Sequence, residues 1–595
     1  MESNRLPYVE QSYTMGRVES KGAQQIANGI LARGGAWLLL GAVVVAALWP
    51  FRGYVTDDTY IHLQFARNLA QGYGFAFEEG RQVYGFTSPL WVMLLGAAER
   101  LGLPGLPAAR VLGLFFTFAS IAGVHALSKE WMRDRRFVWT ATIAWAFDAW
   151  LLRWTYSGME TSLAVSVVVW AFVLHARARE GRGSVFAALA GAALLAVVRP
   201  EGLALAFLVW VDLSFFPVPR GEANRVPSPF PSPLPSRRPE LAGEDRGPSR
   251  PGGSRRGRAA LVGLVPVAAI VGPWFIYAGS TFGQILPTSI AAKSPSFLWK
   301  PADLLERVTL ELSILGATRA VELMLLLASV AVLTVSFRRG RVGRDTLRAL
   351  WDRYRLALLW FVAILVPYIV RDSGLVSRYL MVLTPILTAL SWSVVETVLA
   401  TGDVTVSDTG NDSRRSPWWG RTTVLIALSL VATTSLNAWV LYGRTLSHVT
   451  EFSSRLESSM GAIADWLRTN TPDSSSVASP DIGLLGYRLL DGQPNRHLVD
   501  LSGIVTPEML ALHQGRYIED FILDIGFAPL ARPDYVIDRD TEPRRLPEVG
   551  PHGERIEVAL VREIGPLGVA RPGPYYYTLY RIDWSEARSP SGTHP

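Results

Sequence analysis

Long apolar runs, nearly free of charge, recur through the first 442 residues, and none follows. A helix of about 20 apolar residues covers the roughly 30 Å hydrocarbon core of a bilayer. The pattern therefore predicts about eleven transmembrane helices, near 34–51, 108–128, 137–152, 160–176, 184–198, 202–216, 259–279, 317–336, 356–371, 379–400 and 422–442. Residues 443–595 read differently. A helix over Glu451–Arg468 precedes short strand-like segments at Ser476–Ala478, His497–Leu501, Asp534–Ile537, Ile556–Val561 and Tyr575–Ile582. The expected fold class is an α-helical polytopic membrane protein, with its spans over 34–442 and a small C-terminal α/β domain over 443–595.

Composition agrees with this division. Of 595 residues, 18% are charged, against about 25% in water-soluble domains. The absence of cysteine excludes disulfides, cysteine-bound zinc and thiol nucleophiles, but fixes no compartment. The net charge of +7 does not point to nucleic acid, because Lys and Arg cluster in short loops between apolar runs, as topology signals do. The basic set comprises the leader 1–33, Lys129–Arg136, Arg177–Arg182, the stretch 218–258, Arg338–Arg355 and Arg414–Arg421. The positive-inside rule places these loops and the N-terminus on the cytoplasmic side of an inner (plasma) membrane. The first outer loop, 52–107, and the C-terminal domain then face outward. The leader lacks a small-residue cleavage site, so the first run reads as a retained span. Residues 88–103 are apolar but carry Glu99 and Arg100 between Pro89 and Pro104. They read as an interfacial helix of the first outer loop, with a twelfth span as the alternative. The Pro-, Arg- and Ser-rich stretch 218–258 reads as a disordered cytoplasmic loop.

Given that topology, five polar motifs at span ends share the outer side. They are Thr56–Tyr60 with the Asp57-Asp58 pair, Ser157–Thr161 with Glu160, Arg199–Gly202 with Glu201, Pro287–Ser289 followed by Lys293, and Ser377–Tyr379 with Arg378. Charges at the membrane boundary are costly unless paired or facing a polar cavity. Arg199 and Glu201 could equally be an ion pair ending two helices. Adjacent carboxylates at 57 and 58 repel unless a cation compensates. Arg67 and His62 follow in a predicted helix over Asp58–Gln71 and are candidates for that role. One aspartate could simply N-cap this helix.

The run Asp57–Gly74, then Gly80 and Gly85–Trp91, resembles the first outer loop of GT-C-type glycosyltransferases that use polyprenyl-phosphate sugars. The likeness is greatest to the mycobacterial terminal arabinofuranosyltransferases and their bacterial relatives. The other four motifs resemble landmarks of the same family, as do Ser479–Tyr487 and Val499–Gly503 in the tail. The resemblance implies transfer of a sugar from a polyprenyl-phosphate donor to a hydroxyl of a cell-envelope glycan or glycoconjugate. It also implies a catalytic carboxylate in the first outer loop, at Asp57 or Asp58.

The residue types suit that chemistry. A sugar on a lipid phosphate already carries a good leaving group, so the enzyme needs a base for the acceptor hydroxyl. One aspartate would take the proton, with inversion at the anomeric carbon. The other would orient the acceptor or help to hold a divalent cation (Mg or Mn), although no fixed metal cage is legible. Arg199, Arg378 and Lys293 are the candidates for donor phosphate. Glu160, Glu201, Tyr60, His62 and Tyr379 are those for sugar or acceptor, and Glu160 could instead pair with an arginine. Trp91, Trp154, Tyr156 and Tyr379 could stack on sugar or mark the interface belt. Asp481 and Asp500 read as turn or cap residues. The remaining readings are a transporter or flippase of lipid-linked sugars, for which no internal repeat is visible, and a non-catalytic envelope-assembly subunit.

Overall fold

The computed structural model describes residues 34–216, 261–292, 301–370, 376–403, 418–513, 516–564 and 575–585. The leader 1–33 and the loop 218–258 lie outside the described residues. The chain divides into two compact units, Met1–Pro50 and Phe51–Pro595. The described part of the first is an apolar helix beginning at Gly34.

Counting that helix, seven of the described helices are long and apolar enough to cross a membrane. Three shorter apolar helices, Val185–Ala196, Gly202–Phe215 and Thr384–Ala400, occupy three more of the predicted spans. The remaining predicted span, 137–152, is not continuous. It consists of helices Arg135–Ala146 and Ala149–Thr155, separated where the Asp148 carboxylate accepts the Leu151 N–H at 2.7 Å. Twelve helical residues rise only about 18 Å. The break presents Asp148 to Arg319, which also pairs with Glu322 at 2.9 Å, and all three are fully buried. Charges enclosed among spans are tolerated when paired in this way.

Three of the basic loops meet. Glu130 pairs with Arg177 at 2.8 Å and with Arg182, and Arg353 donates to the Trp131 carbonyl at 3.4 Å. Glu396 accepts the backbone N–H groups of Arg133 and Asp134 at 3.0 and 2.6 Å.

Within 52–107, helix Asp57–Gln71 leads into an antiparallel pair, β1 (Ala76–Glu78) and β2 (Arg81–Gln82), and then helix Pro89–Arg100. The latter is about 18 Å long by its residue count, short of a span. It buries Trp91, Val92 and Leu95, and a glycine at 96 lets it approach the Ala66 carbonyl of its neighbour.

The C-terminal sheet contains all five predicted strands: β3 (Ser476–Ser479), β4 (His497–Asp500), β5 (Tyr535–Asp540), β6 (Arg555–Glu563) and β7 (Tyr576–Asp583). Its order is β4-β3-β5-β7-β6, with β3 parallel to both neighbours and β7 antiparallel to both of its own. The boundary expected at 443 falls inside a helix. Gly420–Asn470 is continuous for 51 residues, passing through wide π turns at Trp439–Thr445 and Glu457–Gly461. The membrane part and the sheet are thus joined by one rod about 77 Å long.

Candidate active site

Thr56 is extended (φ −107°, ψ 158°) and turns the chain into helix Asp57–Gln71, but its hydroxyl pairs with that of Thr59 and does not cap. Successive helical residues point about 100° apart, so the adjacent carboxylates diverge. That of Asp57 accepts the N–H groups of Gly483 and Leu484 at 3.0 and 2.8 Å. It therefore caps helix Gly483–Leu489 of the tail, not its own. Only glycine fits at 483, since a Cβ there would lie 2.1 Å from the Asp57 carbonyl oxygen. Behind this contact, Asp481 accepts from Arg539 at 2.6 Å and from the Tyr577 hydroxyl at 2.5 Å. Burial, helped by the Asp481 charge and opposed by the two N–H donors, pushes the Asp57 carboxyl up to about 7.

Asp58 points the other way, into a cavity of about 360 Å³ that also receives all four other polar motifs. Arg378, buried, reaches the Asp58 carboxylate at 2.5 Å. Arg199 donates to the Arg378 carbonyl at 3.0 Å and lies 3.4 Å from Glu160. Both guanidinium groups stand over the Tyr379 ring, 5.4 and 5.2 Å from its centroid. Tyr368 stacks on that ring and donates to Glu201 at 3.0 Å. Hydrogen bonds also tie the motifs together: the Thr59 hydroxyl donates to Ser157 O, and Thr288 N–H donates to Tyr84 O. Beyond these polar groups the lining is mostly apolar, with Ile61, Met159, Ala204, Ala363, Ile364 and Pro367 beside the aromatic rings of Phe86 and Tyr368.

Five buried polar atoms of the lining have no hydrogen-bond partner among the described residues: His62 Nε2, Glu160 Oε2, Glu201 Oε2, Ser289 Oγ and Arg378 Nε. Orphaned buried polar groups are costly, so their convergence marks a place for a polar ligand. His62 is held by its Nδ1 against the Asp58 carbonyl at 3.0 Å. Burial lowers its pKa despite Glu160 and Asp58 nearby, which favours the neutral imidazole.

Seven of the candidate residues therefore line one cavity: Asp58, His62, Glu160, Arg199, Glu201, Arg378 and Tyr379. Asp57 does not, and Tyr60 packs on Tyr487 of the tail at 5.4 Å between ring centroids. Lys293 lies outside the described residues. Neither Arg67 nor the His62 ring compensates the paired carboxylates. Arg67 bonds the Tyr487 carbonyl and Asp491, and Arg378, distant in sequence, takes the role at Asp58. Trp91 and Trp154 are buried, donating to Gly158 O and Ser377 Oγ. Asp500 does organise a turn, accepting from Ser502 and Val505, whereas Asp481 serves the network behind Asp57. Tyr368 was missed; it lies inside an apolar run that gives no sign of a site. Among the described residues, no three His, Asp or Glu side chains converge as metal ligands.

Residues 448–580 match a family model described as a domain of unknown function, DUF8728. Over 203 residues the chain is 31% identical to the terminal β-(1→2)-arabinofuranosyltransferase of Mycobacterium tuberculosis, covering 30% of this chain and 32% of the relative. It thus spans about a third of that curated relative's length. Among solved structures, it resembles ArnT from Cupriavidus metallidurans bound to undecaprenyl phosphate, with a TM-score of 0.50, 13% identity, and coverage of 93% of this chain and 99% of that one. The oligosaccharyltransferase of Archaeoglobus fulgidus aligns over 84% of this chain and 69% of its own, at TM-score 0.48 and 12% identity. The chain is homologous in sequence to an arabinofuranosyltransferase and shares the multi-pass, GT-C-like fold of ArnT.

Proposed function

We propose that this protein transfers a sugar from a polyprenyl-phosphate donor to a hydroxyl of a cell-envelope glycan or glycoconjugate, at the outer face of a bacterial inner membrane. One observation carries the reading. A carboxylate and two buried arginines share a cavity with a mostly apolar side (Ile61, Met159, Ala204, Ala363, Ile364 and Pro367), so a phosphate has cations to meet and its lipid has an apolar wall to follow. The name of the arabinofuranosyltransferase relative and the undecaprenyl phosphate in the ArnT structure agree with this donor class. The outward orientation rests on the basic loops. The three that meet among the described residues lie at the other helix ends from the cavity, as helix Thr161–Arg179 runs from beside Glu160 to Arg177.

In the proposed reaction the acceptor hydroxyl oxygen attacks the anomeric carbon. The bond from that carbon to the phosphate oxygen breaks, and the lipid phosphate leaves with the electron pair. Asp58 takes the hydroxyl proton, and the configuration inverts. A phosphate arriving beside Arg199 competes for Arg378, loosening the Arg378–Asp58 pair and making the carboxylate available to the acceptor. Arg199 and Arg378 then meet the charge that develops on the leaving phosphate, where fixed cations in a dry site are most effective. Glu160, Glu201, His62 and Ser289 offer their unpartnered atoms to sugar hydroxyls. Asp57 serves as the tail's anchor and Asp58 as the base. No step runs through a divalent cation, because three-ligand sets are lacking among the described residues and Asp58 is engaged by Arg378.

The deciding experiment uses the purified protein, a polyprenyl-phosphate sugar and envelope glycan. Transfer by the native protein, lost in Asp58→Asn at equal expression, is the expected result. Full transfer by Asp58→Asn rejects Asp58 as the base. Uptake of intact lipid-linked sugar into vesicles, without transfer, favours a flippase.

A further inference from the structure

A second cavity lies at the far end of helix Asp57–Gln71. Its volume is about 240 Å³, and it is enclosed by that helix, the β1–β2 hairpin and tail residues 490–497. Arg67, on its wall, follows Asp58 by nine residues, which is about 14 Å along the helix and the opposite side of it. The two cavities therefore use different faces of one element.

The lining chemistry is unlike that of the first cavity. Few aliphatic side chains contribute, so an acyl chain finds no surface. Most of its ionic groups are already engaged: Arg67 pairs with Asp491 at 3.0 Å and stacks on Tyr487, Glu78 accepts the Leu498 N–H, and Arg496 donates to Thr471 at 2.7 Å, while Glu79 is exposed. With Arg67 and Arg496 set among Glu78, Glu79 and Asp491, the lining concentrates neither sign strongly enough to select a charged ligand. Two buried polar atoms of the lining nevertheless lack any hydrogen-bond partner among the described residues, Gln493 Oε1 and Arg496 Nε, and Arg496 is only 1% exposed. One is an acceptor and the other a donor. Tyr73, 41% exposed, offers an aromatic plane at the rim.

Neutral hydroxyls, each both donor and acceptor, are the groups that satisfy an amide oxygen and a guanidinium N–H together. An aromatic face suits the C–H side of a sugar ring. The volume lies below the roughly 300–1,000 Å³ of pockets for drug-sized molecules, which suits a single sugar unit of a longer chain. We infer that this cavity is a glycan-binding subsite, holding an uncharged sugar unit of a polymeric acceptor at a distance from the residue that is modified. The inference rests on the glycosyltransferase reading for its purpose, but the binding itself does not depend on it.

The test uses the full-length protein in detergent and three soluble probes, the hexasaccharides of arabinose, mannose and glucose. Saturation-transfer NMR reports binding to the native protein, to Asp58→Asn and to the double variant Tyr73→Ala/Gln493→Ala. At least one probe is expected to bind the native and Asp58→Asn proteins equally, and roughly tenfold more weakly to the double variant, the scale of one lost hydrogen bond and one lost aromatic contact. In transfer assays the double variant should raise KM for a polymeric acceptor at unchanged kcat, with a one-sugar acceptor unaffected, as loss of uniform binding predicts. Equal binding by a correctly folded double variant, checked by its melting curve, overturns the subsite. So does the absence of binding by every probe to the native protein. Binding that the double variant loses, in a protein that transfers no sugar at all, leaves the subsite standing and removes the transferase reading instead.

Discussion

The two sides of the Asp57-Asp58 pair present the same chemical group to opposite surroundings. On the tail side, the Asp57 carboxylate accepts two backbone N–H groups of a helix start, backed by the Asp481, Arg539 and Tyr577 network. On the cavity side, Asp58 pairs directly with the Arg378 guanidinium at 2.5 Å, beside a cavity whose lining residues hold five polar atoms without a partner among the described residues. Both are carboxylates at the start of one helix, so residue type and position do not separate them. What separates them is how far the surrounding polar groups are satisfied by the protein itself: the network behind Asp57 leaves Arg539 Nε without a partner among the described residues, against five such atoms on the residues around Asp58. A carboxylate that completes a cap belongs to the fold; one beside unsatisfied donors and acceptors has room for a ligand.

The largest effect that would break this contrast is at Asp58. Replacing it by asparagine keeps shape and removes the base, and transfer should fall by about 10³-fold, within the range for a lost general base. Initial rates at saturating donor and acceptor check this, and a fall of less than about tenfold would falsify the assignment. Next come the arginines. Arg378→Gln removes one charge-assisted partner of phosphate, worth about 1.5–3 kcal/mol, so affinity for donor should drop by roughly 10- to 100-fold. Titration with a fluorescent polyprenyl phosphate measures it. An unchanged donor affinity in both Arg378→Gln and Arg199→Gln removes phosphate from this cavity.

Much of this arrangement was legible in the sequence, for physical reasons. The five tail strands are short apolar or alternating segments bounded by Pro, Gly and Asp, a local signal that survives tertiary context. The five outer motifs stood out because charge at a span end is expensive and therefore rare. What escaped detection depends on partners far along the chain. Asp57 looked like a cap for its own helix, and it does cap a helix, but one 426 residues away. The break at Asp148 follows from Arg319, 171 residues distant. Tyr368 sits in an apolar stretch, and only the meeting with Glu201 and Tyr379 makes it part of the cavity. The continuous helix through 443 carries polar residues on the far side of the membrane boundary, so hydropathy ends where the helix does not.

The tail side yields smaller effects, aimed at the interface and not at the chemistry. Gly483→Ala forces a Cβ to within 2.1 Å of the Asp57 carbonyl oxygen, a clash that should cost about 1–3 kcal/mol at the contact. Hydrogen exchange should quicken in residues 57–64 and 483–489, with transfer reduced about tenfold or less. Unchanged exchange in both segments would show that the tail does not depend on this contact.

The smallest effect is a pH dependence specific to Asp57. Burial, then the Asp481 charge, raise its carboxyl from the usual carboxylate range to about 7 in the folded protein. The folded protein therefore binds this proton more tightly than the unfolded chain, so the stabilisation is present in full below about pH 4 and is lost as pH rises through about 7. The two N–H donors work against that trend, since they favour the ionised form. Between pH 6 and 8 the tail contact should accordingly loosen, visible as faster exchange at residues 483–489 after correction for the intrinsic rate. Asp57→Asn holds the side chain neutral throughout and should flatten this profile, while the Asp58→Asn profile keeps its slope. If Asp57→Asn and the native protein show the same slope, the N–H groups hold the carboxylate ionised across the whole range. The contact is then a conventional charged cap, tight at every physiological pH.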